Sequence, residues 1–129
     1  MKGVLTVDID GTLTMGHGWF YIAEMLGRGK EYRSTTASYR NDSIDEGEHL
    51  QNLLNIAEGC TLGEMSHMLS SVPRLDRIGE GVAMLRKRGL AVALLTHNPW
   101  YICEWYMRQY GFDLYSGTEQ EVSEGRITR

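Results

Sequence analysis

The stretch Val4-Leu5-Thr6-Val7-Asp8-Ile9-Asp10-Gly11-Thr12-Leu13-Thr14 decides how the rest of the chain reads. Val4 to Val7 is a short apolar run rich in β-branched residues, and the Asp-x-Asp-Gly sequence follows too soon for a helix, so the run predicts a buried strand. Both carboxylates then stand at the strand's C-terminal end, and Gly11 lets the next loop fold close because it has no side chain. Most Asp-Gly pairs merely satisfy loop amides at a turn. Here the apolar strand before the pair and Thr12, Leu13 and Thr14 after it favour a functional site.

Downstream, the period of the apolar residues changes. Trp19, Ile22, Ala23 and Leu26 recur at helical spacing up to Gly27 and Gly29. Lys30 to Arg40 is polar and only weakly helical in pattern. Asp45 with Glu48 marks a helix start that Leu50, Leu53, Leu54 and Ala57 continue, and Thr61 with Glu64 starts another along Leu62, Met65, Leu69 and Val72. Residues 17–72 therefore read as an all-helical insertion, with His49 and His67 on its solvent-facing side.

After Pro73 helix and strand alternate again. Ile78, Val82 and Leu85 mark a helix closed by Arg86, Lys87, Arg88 and Gly89, basic residues and a glycine that suit a helix C-terminus. Leu90 to Leu95 is a continuous apolar run, as expected of a strand buried on both faces, and Thr96, His97 and Asn98 end it. Asn98 predicts a cap and Pro99 a first position for the next helix, which carries Cys103, Tyr106, Met107 and Tyr110 up to Gly111. Phe112 to Tyr115 predicts a third parallel strand, and Glu121 to Thr128 a hairpin turning at Glu124 and Gly125.

This order predicts an α/β fold, a Rossmann-like parallel sheet with an all-helical cap inserted after the first strand. Residues 1–16 and 73–129 would form the α/β core and residues 17–72 the cap. Ligands of such sheets gather beyond the carboxyl ends of the strands, where Asp8, Asp10, Thr96, His97 and Asn98 all fall.

The 129 residues carry 13 basic and 17 acidic side chains, a net charge of −4 with no long run of either sign, which argues against nucleic acid or an anionic membrane as partner. No stretch has the length of a transmembrane helix, the N-terminus lacks a signal-peptide pattern, and Cys60 and Cys103 stand too far apart for a metal motif. A cytoplasmic protein with two free thiols is the expectation.

Asp8-Ile9-Asp10-Gly11-Thr12-Leu13-Thr14 resembles the first motif of the haloacid dehalogenase superfamily, and Leu94-Leu95-Thr96-His97-Asn98 its second. The helical insertion and the phrase Glu80-Gly81-Val82 … Arg88-Gly89-Leu90 resemble the phosphoserine phosphatase branch. The resemblance implies a hydrolase of small phosphate monoesters. Asp8 would attack phosphorus to form an aspartyl-phosphate, and Asp10 would protonate the leaving oxygen and later take a proton from water. Mg²⁺ would be held by the Asp8 carboxylate and the Asp10 backbone carbonyl. Gly11, Thr12, Thr96, His97 and Asn98 would hold the phosphate, and the partner would be a small phosphorylated metabolite.

The sequence departs from that branch in several places. His17 stands in the region where a substrate-gripping glutamate is implied, and Arg33 and Arg40 match its cap arginine by neighbourhood only. The resemblance further implies a lysine and an acidic pair on a later strand end, yet no lysine follows Gly111 and Lys87 precedes a strand at the wrong point in the order. Two readings follow: a portion of a longer phosphatase, or a short non-catalytic protein that binds phosphate, metal or a partner on a truncated fold. A half-sheet would expose a strand edge, which a homodimer would cover.

Overall fold

The computed structural model describes residues 3–128. The elements run β1 (Gly3–Val7), α1 (Gly18–Met25), α2 (Gly29–Arg40), α3 (Glu46–Ile56), α4 (Leu62–Ser71), α5 (Ile78–Lys87), β2 (Leu90–Pro99), α6 (Trp100–Tyr110), β3 (Leu114–Thr118), β4 (Val122–Ser123) and β5 (Arg126–Ile127). They form two compact units. One comprises Met1–Gly16 and Val72–Glu119, the other His17–Ser71 and Gln120–Arg129.

The first unit is a parallel three-stranded sheet in the order β1-β2-β3. Strand β1 pairs with β2 from Gly3 opposite Leu90 to Val7 opposite Leu94. Helices α5 and α6 lie side by side against the sheet, and Val92 and Leu94 of β2 are 1 % exposed, with Ile102, Cys103 and Tyr106 of α6 buried as well. Burying each such aliphatic side chain is worth ~2 kcal/mol. The face opposite Val92 and Leu94 is covered only in part. By register it carries Val4, Thr6, Ala91, Ala93, Leu95, Leu114 and Ser116; the two alanines of the central strand are buried, the others are exposed, and Leu95 keeps 55 % of its surface. Parallel sheets are ordinarily covered on both faces. Among the described residues no strand pairs with the second edge of β1.

The predicted third strand starts later than Phe112. Gly111 ends α6 at φ +79°, and Asp113 then pairs with β2: its N–H donates to the Val92 carbonyl at 2.8 Å and its Oδ2 accepts from the Val92 N–H at 2.8 Å. The regular ladder begins only at Leu114.

In the second unit, Ile22 and Ala23 of α1, Leu53, Leu54 and Ile56 of α3 and Met65 and Leu69 of α4 are buried. The predicted caps form. Asp45 accepts from the Glu48 N–H at 2.8 Å, and the Thr61 hydroxyl accepts from the Glu64 N–H at 3.0 Å. Residues 30–40, weakly helical in sequence, are helical because tertiary contacts override propensity. Thr35 is buried against α3, where Asn52 Nδ2 donates to its hydroxyl at 3.1 Å. His49 is not solvent-facing as expected: it is partly buried, its ring stacks on Tyr39 at 4.6 Å, and its Nδ1 lies 3.0 Å from Thr35 Oγ1.

Residues 120–128 pack with the helices of the second unit. The hairpin β4–β5 is bound there by its backbone. Ile127 N–H donates to the Cys60 carbonyl at 2.7 Å, Gly59 N–H to Ile127 at 2.8 Å and Leu62 N–H to Gly125 at 3.0 Å. Ile127 is 1 % exposed, and Gln120 Nε2 reaches the Leu54 carbonyl at 3.1 Å. A short hairpin cannot stand alone and takes the partner that satisfies its polar backbone.

Candidate active site

The chain leaves β1 through a tight loop wound about one carbonyl. The N–H groups of Thr12, Leu13 and Thr14 converge on Ile9 O at 3.2, 2.8 and 3.2 Å. Ile9 at 1 % exposure and Leu13 at 7 % anchor the loop from below. Gly11 sits at φ +75°, a left-handed conformation that a side chain would strain. Leu75 N–H donates to Leu13 O and Met15 N–H to Pro73 O, both at 2.9 Å, which stitches the loop to the segment leading into α5.

This winding holds Asp8 exposed at the end of β1 and Asp10 partly buried one residue beyond the loop's anchor. Ile9 N–H donates to Asp8 Oδ1 at 2.7 Å, which orients that carboxylate. Gly11 N–H donates to Thr14 Oγ1 and to Gly16 O, both at 3.1 Å. The amides of Ile9, Gly11 and Thr12 are thus engaged within the loop.

The end of β2 supplies the second wall. Between Leu95 and Pro99 its register with β3 shifts, so Thr96, His97 and Asn98 bulge from the ladder. The Thr96 hydroxyl oxygen accepts from the Asn98 N–H at 3.1 Å and from Asn98 Nδ2 at 3.0 Å, leaving its own hydrogen to donate. His97 is exposed, and its carbonyl accepts from the Thr118 hydroxyl at 2.7 Å. Asn98, 4 % exposed, does not cap α6. Pro99 takes the N-cap position, and Asn98 Nδ2 instead donates to Asp10 Oδ2 at 2.8 Å.

Of the residues singled out in sequence, the structure joins Asp10, Thr96 and Asn98 by hydrogen bonds and sets Asp8 at the adjoining strand end. Sequence reasoning missed the support from β3. A Cβ on Gly117 would stand 2.7 Å from Asn98 O and 2.8 Å from Cys103 Sγ, so only glycine fits. It also missed a cluster behind the loop: Arg74 Nε donates to Tyr110 Oη at 2.7 Å, and its guanidinium lies 4.9 Å from the Trp105 ring centre. Beside them Tyr106 is 1 % exposed, and burial pushes its phenol far above the ordinary range, with Arg74 opposing and Asp10 adding to the rise. Tyr106 and Tyr110 lie on the helical stripe read from the sequence, but no periodicity brings in Arg74, which comes from a loop.

The Asp8 carboxylate and the Asp10 backbone carbonyl are oxygen donors, which suit a hard cation that completes its shell with water and phosphate oxygens. Among the described residues no group of three or more His, Cys, Asp or Glu gathers. Lys87 ends α5 immediately before β2 begins, at the opposite end of the sheet from Thr96. Among the described residues no helix is long and apolar enough to cross a membrane.

No protein-family model matches the chain. A curated phosphoserine phosphatase from Archaeoglobus fulgidus is 24 % identical over 127 residues, which are 98 % of this chain and 37 % of that protein. The crystal structure of a HAD family hydrolase from Salmonella enterica serovar Typhi superposes with a TM-score of 0.89 at 14 % identity, covering 98 % of this chain and 43 % of that one. A phosphoserine phosphatase solved as a phospho-aspartyl intermediate analogue gives 0.75 at 18 %, covering 98 % and 60 %. Over nearly its whole length, then, the chain has the fold of HAD hydrolases and is similar to phosphoserine phosphatases, spanning little more than a third to about three fifths of the length of these longer relatives.

Proposed function

We propose that the chain carries the nucleophile and the acid–base group of a HAD-type phosphatase that hydrolyses small phosphate monoesters. The observation that supports this most is the placement of Asp8 and Asp10 at the carboxyl end of β1, beside the Thr96 hydroxyl at the end of β2. That is where α/β sheets bind ligands. The similarity to phosphoserine phosphatases, one of them described as a phospho-aspartyl intermediate analogue, supports the same reading.

In this mechanism Asp8, oriented by the Ile9 amide, forms a bond to phosphorus as the ester P–O bond breaks, and the departing oxygen takes a proton from Asp10. Asp10, now a carboxylate, then accepts a proton from water as the water oxygen bonds to phosphorus and the Asp8–phosphorus bond breaks. Both side chains return to their starting state and inorganic phosphate leaves. The Thr96 O–H donates to a phosphoryl oxygen. Asp8 and Asp10 would hold Mg²⁺, which offsets the repulsion between carboxylate and phosphate.

Mg²⁺-dependent phosphate release from 4-nitrophenyl phosphate tests this, with Asp8→Asn beside the wild type. Loss of the nucleophile lowers the rate by at least ~10³-fold; equal rates for the two proteins refute the assignment. A non-catalytic phosphate- or metal-binding role is the second reading, favoured by the absence of a third acidic group or a lysine beside the two aspartates among the described residues. It predicts no turnover from either protein, with Mg²⁺ or inorganic phosphate still bound in calorimetry.

A further inference from the structure

Asn98 is buried, and a buried primary amide is costly unless its hydrogens find acceptors. Both do. The two N–H bonds of Nδ2 lie in one rigid plane and diverge, one to Asp10 Oδ2 at 2.8 Å, the other to Thr96 Oγ1 at 3.0 Å. One planar group therefore sets the spacing between the acid–base carboxylate and the hydroxyl at the end of β2. A phosphate ligand would have to turn these hydrogens outward and break both bonds.

The backbone of Asn98 is held as firmly as its side chain. Its N–H donates to Thr96 Oγ1 at 3.1 Å, its carbonyl accepts from the Cys103 thiol at 3.8 Å, and Gly117 of β3 packs directly against that carbonyl. Thr118 fixes the preceding carbonyl, that of His97, at 2.7 Å. The bulge at the end of β2 is thus clamped by β3 in the one arrangement that directs the amide at Asp10.

We propose that Asn98 is a positioning residue for Asp10, aligning its carboxyl group for proton transfer, and is not a phosphate ligand. The proposal rests on the phosphatase reading. Its consequence depends on the leaving group. A 4-nitrophenolate departs as a stable anion and needs little help from Asp10, whereas an alkoxide leaves only as it takes the Asp10 proton. A misaligned acid costs rate where the proton is needed.

The test measures kcat and KM of the full chain and of Asn98→Ala and Asn98→Asp, with 4-nitrophenyl phosphate and ethyl phosphate. The expected result is a fall of ~100-fold in kcat/KM, which reports only the steps up to departure of the leaving group, on ethyl phosphate and less than ~3-fold on the aryl ester. In an Asp10→Asn background the Asn98 substitution should add nothing further on ethyl phosphate. Gly117→Ala keeps the amide but pushes on its backbone, and should show the same preference if the Asn98 variants fail to fold. An equal loss of kcat/KM on both substrates overturns the role of Asn98 alone. Wild-type turnover that is absent, or that Asp8→Asn leaves intact, overturns the phosphatase reading and this role with it.

Discussion

Replacing Gly117 by alanine tests whether β3 holds the site in shape. The added Cβ would stand 2.7 Å from Asn98 O, and ordinary contact begins near 3.4 Å, so β3 or the Asn98 backbone must give way by about 0.7 Å. The second obstacle, Cys103 Sγ at 2.8 Å, is buried and cannot swing aside into solvent. A shift of that size carries the 2.8 Å bond from Asn98 to Asp10 to the limit at which a hydrogen bond ceases to be one. Overpacking of this kind costs ~1–3 kcal/mol. At 2 kcal/mol the melting temperature of a domain this size falls by about 6–12 °C. Fluorescence of Trp100 and Trp105, both in the sheet unit, follows the transition. Gly81→Ala is the control: it lies in α5 with nothing within 4 Å of an added Cβ, and should stabilise by ~0.5–1 kcal/mol. A Gly117→Ala protein that melts with the wild type would show that β3 yields without strain, and would refute the clamp.

Two further outcomes follow from buried titratable groups. Burial first, and then the charge of His17, lower the pKa of His49, while a contact with Thr35 opposes them. The folded state thus prefers the neutral ring, so its contribution is full above the unfolded value of about 6.5 and is lost as pH falls from there towards the lower folded value. The urea midpoint should drop between pH 7.5 and 5.5 and the drop should shrink in His49→Gln; an unchanged slope in that variant would show that other groups are responsible. Burial also pushes the Cys103 thiol up to about 11 and raises that of Cys60, so neither forms much of the reactive thiolate near neutrality. Iodoacetamide should modify both only after unfolding, and rapid labelling of the native chain would contradict the packing around α6.

Much of the architecture is local and therefore legible without coordinates. A continuous apolar run specifies a strand but not its burial, for Val4 and Leu5 of β1 and Leu95 of β2 stay exposed where buried strands are expected; helical spacing of Leu and Met specifies a packed face, and Asp45 and Thr61 announce helix starts because the backbone donors they satisfy lie three residues away. The turn at Glu124 and Gly125 is legible for the same reason: both have positive φ, which suits a tight hairpin. Where tertiary contact decides, sequence reasoning misses. Residues 30–40 are helical because Thr35 is buried against α3, and residues 120–128 join the helices because the backbone at Gly59 to Leu62 completes their hydrogen bonding.

The same division runs through the candidate site. By itself the sequence determined that two carboxylates end one strand and a hydroxyl ends another, since strand ends are set by the apolar runs before them. Only the tertiary structure decided what the residues there do to one another. Asn98 reads in sequence as a helix cap or a phosphate contact, because an amide beside a proline satisfies either pattern. In the folded chain it reaches across 88 positions of sequence to Asp10, since the bulge at the end of β2 is pressed by Gly117 and Thr118 of β3. A hydrogen bond between two strand ends depends on the register of three strands, and no local pattern of residues encodes that register.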